Sequence, residues 1–249
     1  MTTLPSSGRP DRSVARPDAR PVAVVTGASQ GLGLSLAGAL ADDGWALVVD
    51  ARHGDRLREA IGPLAAHAEV IAVPGDVADP VHRAALVRAA TQLGEVRLVV
   101  HNASTLGASP LPALDAIPAD VLADVFAVNV IAPLALTQLL APHLGPGATV
   151  VAVTSDAAVE AYEGWGGYGA SKAALEHAHR VLAAEHREWR VLVVDPGDMR
   201  TAMHQDAFPG EDISDRPPPE TSVPGIMALV RGDQPSGRYE ARAVVGARP

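Results

Sequence analysis

Thr26-Gly27-Ala28-Ser29-Gln30-Gly31-Leu32-Gly33 is the stretch on which the reading of the chain turns. An apolar run, Val22–Thr26, leads into it, and a segment with helical periodicity, Gly31–Asp43, leaves it. Glycines between a strand and a helix permit a tight turn, let backbone approach a pyrophosphate, and let the helix pack close to the sheet. The helix N-terminus adds free N–H groups and partial positive charge suited to phosphates. An ordinary strand–helix turn is the alternative to dinucleotide binding. The Gly-x-x-x-Gly-x-Gly spacing lacks the Gly-Lys-Ser/Thr ending of a triphosphate-binding loop, which disfavours triphosphate hydrolysis.

Outward from this loop, short β-rich runs alternate with helical stretches. Strands are expected at Val22–Thr26, Ala46–Ala51, Glu69–Val73, Arg97–His101, Thr149–Thr154, Arg190–Val194 and Gly237–Val245. Helices are expected at Gly31–Asp43, Asp79–Leu93, Asp120–Leu144 and Tyr168–Arg187, with Asp79 as N-cap, Pro80 at the first helical position and Pro133 as a kink or an internal break. Near-continuous apolar strands separated by helices indicate a parallel sheet covered on both faces. The expected fold is a doubly wound α/β sheet of Rossmann type, a single domain over 21–249. Residues 1–20, rich in Pro, Ser and Arg, read as a disordered leader, and 203–224 as a mobile loop.

Composition narrows the function. A chain of 249 residues that is 47% hydrophobic can bury a core, and the absence of Cys removes disulfides, thiolate metal sites and thiol nucleophiles. No metal site is expected. A formal charge of −9 argues against nucleic acid as a partner. No apolar run is expected to reach the roughly 20 residues of a membrane span. With no secretory h-region, the expected location is the cytoplasm.

The chemistry-bearing residues cluster late in the chain. Tyr168 and Lys172, the single lysine among 20 basic residues, stand at i and i+4 and share one helix face. A free tyrosine titrates near 10, and a neighbouring ammonium is expected to bring it toward the working range. A solvated Lys beside a half-buried Tyr is the alternative. Ser155 lies just after the Thr149–Thr154 strand, and Asn129 sits in an apolar stretch where its amide needs a buried partner. His177 and His179 read as surface residues, and His204 as a solvated loop histidine, with a place in the substrate site as the alternative.

These residues and the glycine spacing resemble the short-chain dehydrogenase/reductase family in its compact form of about 250 residues. The resemblance implies a catalytic tetrad of Asn129, Ser155, Tyr168 and Lys172, with Asn129 holding a water in a proton relay to Lys172. It implies cofactor contacts from Gly27, Ser29, Gln30, Gly31, Leu32 and Gly33. Asp76 and Val77 match the pair that reads adenine. Asn102 and Ala103, in His101-Asn102-Ala103-Ser104, match two positions of the family's Asn-Asn-Ala-Gly. Pro196, Gly197, Met199 and Thr201 match the segment that contacts the nicotinamide. The implied activity is hydride transfer between a nicotinamide cofactor and a small-molecule carbonyl or alcohol, by a homodimer or homotetramer. A cofactor-binding regulator without turnover, and an epimerase or dehydratase, are the other classes considered.

Cofactor choice rests on Val48-Val49-Asp50-Ala51-Arg52. An acid at the end of the second strand selects NAD(H), whereas Arg receives the 2′-phosphate of NADP(H). Ala51 occupies the family's acid position, Asp50 is one residue early and faces the other way, and Arg52 falls where NADP-preferring members carry Arg. NADP(H) is therefore favoured over NAD(H), although Gln30 replaces a second basic contact. Tyr162, Trp165, Met203 and Phe208 are candidates for an apolar substrate wall.

Overall fold

The structure, a computed structural model, describes residues 20–246. The expected leader therefore falls outside the described residues, apart from Arg20. The elements run β1 (Val22–Val25), α1 (Gly31–Asp42), β2 (Ala46–Ala51), α2 (Gly54–Ile61), β3 (Val70–Pro74), α3 (Pro80–Leu93) and β4 (Val96–His101). There follow α4 (Ala119–Phe126), a π turn (Ala127–Ile131), α5 (Ala132–Leu140), β5 (Leu144–Val153), α6 (Gly166–Glu185) and β6 (Arg190–Asp195). The chain closes with α7 (Ala202–Ala207), α8 (Val223–Arg231), β7 (Gly237–Glu240) and α9 (Ala241–Gly246).

One parallel sheet carries the order β3-β2-β1-β4-β5-β6-β7. Every residue of β1 and β2 is buried, as a sheet covered on both faces requires. Alternation divides the two cores. Ala23, Val25, Leu47 and Val49 face α1 and α8, whereas Val22, Val24, Ala46 and Val48 face α3 and α5 through Leu86, Ala90, Leu136 and Leu140. By the same parity Asp50 turns toward α3 and Ala51 toward the other face. The strand order reverses between β1 and β4, which opens the crevice at the C-terminal ends of the strands.

Several expected boundaries shift. The strand expected over Gly237–Val245 stops at Glu240 and continues as α9. The loop expected over 203–224 contains most of α7, a 3-10 turn at Pro219–Thr221 and the start of α8. Asp79 caps α3 as foreseen, accepting from Val81 N at 2.8 Å. The expected long helix takes the internal break allowed for it, with Pro133 just after the π turn at Ala127–Ile131. There Ala132 N reaches back five residues to the Ala127 carbonyl. In an α-helix residue 133 would bond the Asn129 carbonyl, and proline has no N–H to do so. Contrary to the expectation of no such run, Ala119–His143 is long and apolar enough to cross a bilayer, with mean hydropathy 1.8. Its valines, leucines and Ile131 carry that figure despite Asp120 and Asp124. In the fold it is broken by the π turn, and its Leu136 and Leu140 are core residues.

Candidate active site

The glycine loop takes its shape from positions that exclude a side chain. Gly27 and Gly31 have φ of +71° and +56°. A Cβ on Gly33 would lie 2.3 Å from the Gly27 carbonyl oxygen. Asn102 pins the loop from β4, its Nδ2 donating to the carbonyls of Thr26 (2.9 Å) and Gly27 (3.1 Å). Thr26 Oγ1 accepts from the amides of Asn102 and Ala103. The first turn of α1 carries no acidic residue, and Gln30 at its N-cap makes no side-chain cap. That leaves the helix end positive and open to an anion.

A cleft of about 1150 Å³ runs from this loop along the strand ends. Of the residues expected to form the site, all line the cleft except Gly33, whose work is backbone packing, and Asn129. Arg52 is exposed on its edge, joined by His53 and Arg56, which the sequence reading missed. Arg56 stands one helical turn beyond Arg52, a spacing that could have pointed to it. Asp50 is 1% exposed and fully engaged: Oδ1 accepts from Gly27 N at 2.7 Å, and Oδ2 pairs with His82 Nε2 at 2.9 Å. Burial raises the Asp50 pKa, opposed by the hydrogen bonds from His82 and Gly27. Asp76 Oδ1 is held by Ala78 N at 2.8 Å. Gly197 N donates to Asp195 Oδ1 at 2.8 Å, and Thr201 caps α7.

The end of β5 and the first turns of α6 bring Ser155, Tyr168 and Lys172 together. Ser155 Oγ accepts from Ala157 N at 3.2 Å and donates to Asp156 Oδ1 at 2.8 Å, while Tyr162 donates to Asp156 Oδ2 at 3.0 Å. Lys172 Nζ is buried, donates to the Val153 carbonyl at 2.9 Å and lies 5.4 Å from the Tyr168 ring centroid. Burial pulls its pKa down to about 8. The expected lowering of Tyr168 by this ammonium does not hold here. Burial raises the phenol, the Ser104 and Ser155 hydroxyls oppose that, and Asp195 and Asp156 add to it.

Asn129 finds the buried partners that its apolar stretch calls for. Its Oδ1 accepts from Ser104 Oγ (3.1 Å) and Thr105 N (2.8 Å), and its Nδ2 donates to the Thr105 carbonyl and Ser171 Oγ, both at 2.9 Å. The amide ties the loop after β4 to α6 and has no capacity left for a water. His179 is buried rather than on the surface, edge-on to His101 at 5.7 Å, and burial lowers its pKa; His177 is exposed as expected. His204 is half-buried in α7 rather than in a loop, and it lines the cleft. Of the four residues considered for an apolar wall, Trp165 meets Tyr168 edge-on at 5.6 Å and Phe208 at 6.0 Å, and Met203 packs beside them, whereas Tyr162 is exposed and turns its hydroxyl to Asp156.

A parallel sheet with a phosphate-ready glycine loop at its switch point, and a Tyr–Lys pair beside it, defines a nucleotide-dependent oxidoreductase architecture. The family model described as short chain dehydrogenase matches residues 21–212, and the chain belongs to that family. It is 35% identical over 222 residues to an uncharacterized oxidoreductase of Methylorubrum extorquens, covering 86% of this chain and 85% of that protein. It is 33% identical to the sepiapterin reductase of Bos taurus, over 75% of each chain. Among solved structures, a short chain dehydrogenase from Escherichia coli CFT073 complexed with NADPH superposes with a TM-score of 0.80. That pair is 29% identical, and the alignment covers 90% of this chain and 98% of that one.

Proposed function

We propose that the protein is an NADP(H)-dependent oxidoreductase that interconverts a small-molecule carbonyl and its alcohol. The observation that carries this reading is the convergence of Ser155, Tyr168 and Lys172 on one cleft with the glycine loop. The cleft fits the cofactor: side-chain-free backbone at Gly27 and Gly31, an uncapped helix N-terminus for the pyrophosphate, and Arg52 and Arg56 exposed for a 2′-phosphate. Asp50, which would favour NAD(H), is spent on Gly27 and His82.

When bound, the nicotinamide supplies or accepts the hydride. In the reducing direction Tyr168 donates its phenolic proton to the substrate oxygen as charge develops there. Ser155 orients that oxygen, and both hydroxyls stabilise it more strongly in the transition state than in the ground state. A neutral phenol, which burial favours, is the acid this step requires. Lys172 holds the nicotinamide ribose with its remaining N–H groups. With the Asn129 amide engaged, its main-chain carbonyl, which Pro133 cannot bond, is the group that would hold a relay water. The Trp165–Phe208 wall favours a substrate with an apolar or planar part. Ile131, Leu139 and Val181 are 57%, 42% and 43% exposed, and we assign them to a contact between copies of a cytoplasmic homo-oligomer.

Fluorescence titration with NADPH and NADH tests the cofactor assignment. NADPH is expected to bind at least tenfold more tightly, and Arg52→Ala to remove most of that difference. Equal binding that is indifferent to Arg52→Ala would overturn the NADP(H) assignment. Tyr168→Phe is expected to keep nucleotide binding and lose carbonyl-dependent NADPH oxidation.

A further inference from the structure

The buried pair formed by Asp50 and His82 is not explained by hydride transfer itself. Their side chains are 1% and 5% exposed. Both carboxylate oxygens of Asp50 are engaged, one by the first amide of the glycine loop and the other by the His82 ring. The Asp50 main-chain carbonyl accepts from Ala28 N at 2.8 Å, so the end of β2 brackets the loop with two bonds. The ring also abuts the turn that presents Asp76: a Cβ on Gly75 would stand 2.2 Å from His82 Nδ1. One imidazole on α3 thus touches the end of β2 and the Gly75 turn, and reaches the glycine loop through Asp50.

We propose that His82 is a positioning residue that sets the preference for NADP(H). Strand parity already turns Asp50 toward α3; by holding it there against the glycine loop, His82 keeps that carboxylate from swinging toward the adenosine ribose. This proposal rests on the reading of the cleft as an NADP(H) site. A buried carboxylate oxygen must keep a donor. Without His82, the ribose hydroxyls of a bound nucleotide become available donors, and a 2′-phosphate would face an unscreened negative charge. Loss of the imidazole therefore acts in opposite directions on the two nucleotides. Simple loosening of the fold would weaken both together.

The test is paired titration of NADPH and NADH against the full chain and three variants, with thermal melts alongside. His82→Leu is expected to lower the NADPH/NADH affinity ratio by at least tenfold. His82→Gln, whose amide can donate in place of Nε2, recovers most of that ratio. Gly75→Ala crowds the ring with a Cβ 2.2 Å from Nδ1 and is expected to reproduce the loss with both partners of the pair retained, which keeps the test decisive if His82→Leu fails to fold. An unchanged ratio in folded His82→Leu or Gly75→Ala overturns the proposal, as does equal weakening of both nucleotides. If the natural chain binds neither nucleotide, the NADP(H) reading falls and this proposal falls with it. If the natural chain prefers NADPH and the variants leave the ratio unmoved, only the role of His82 falls.

Discussion

Replacing Arg238 with Ala is expected to cost about 3 kcal/mol of stability. Arg238 Nε donates to Glu176 Oε1 at 3.0 Å and its Nη2 to Asp195 Oδ2 at 3.0 Å. The arginine side chain is 23% exposed, and the two carboxylates are 3% and 9% exposed. Removing one partner of a buried pair typically costs about 3–5 kcal/mol, because a charge is left uncompensated. Each carboxylate keeps another donor: Thr154 Oγ1 and Arg180 Nη2 serve Glu176, and Gly197 N serves Asp195. Those remaining bonds place the cost at the lower end of the range. For a chain of this size, about 3 kcal/mol lowers the melting temperature by roughly 6–12 °C. Urea unfolding and thermal melts at pH 7 read the change, with Arg238→Met separating the aliphatic stem from the charge. The pH dependence has a fixed sign. Burial raises the Asp195 pKa and Arg238 opposes it. Without Arg238 the carboxyl protonates more readily, so the gap between variant and natural chain narrows as the pH falls through the carboxyl range. A melting shift under 2 °C at pH 7, or a gap that widens in acid, would refute the reasoning.

Lys172→Met should change the pH dependence of stability. The folded-state pKa of about 8 lies below the ordinary 10.5, so the cost of burying the charged amine is fully present below pH 8 and is relieved as the pH rises toward 10.5. The natural chain should gain about 3 kcal/mol relative to the Met variant across that window by urea unfolding, and parallel curves would contradict the burial argument. Gly33→Ala places a Cβ 2.3 Å from the Gly27 carbonyl oxygen and 2.5 Å from Asn102 Nδ2, and should weaken NADPH binding at least tenfold in a calorimetric titration. Gly38→Ala on the same helix meets only Leu64 Cδ2 at 3.8 Å and should stabilise the chain by about 0.5–1 kcal/mol. Equal effects of the two would refute the close-approach account.

Local signals carried much of the fold and site. The glycine loop, the Tyr168–Lys172 spacing and the α3 cap each depend on residues a few positions apart, where backbone sterics and helix geometry act directly. Strand alternation also turned Asp50 away from the side that Ala51 faces. The features that escaped depend on which elements lie side by side. His82 is 32 positions from Asp50, and their contact follows only once α3 is known to cover β2. His179 and His177 do occupy different faces of α6, but which face turns inward is set by the sheet. For Tyr168, the sequence displayed the neighbouring charge and concealed the depth of burial, which has the larger effect. Arg238 gave no local signal at all, since its two partners come from α6 and β6.

The π turn at Ala127–Ile131 makes the length of its segment as important as its composition. It absorbs one residue more than an α-helical turn, offsetting the helix on either side by about 100°. Within the turn Asn129 reaches Ser171 and Thr105; downstream, the offset lets Leu136 and Leu140 enter the core. Conservative exchanges within 127–131 leave this phase intact. Deleting any one residue there would straighten the helix and rotate one set of contacts out of place, so the segment, Asn129 apart, should accept new side chains far more readily than a change of count.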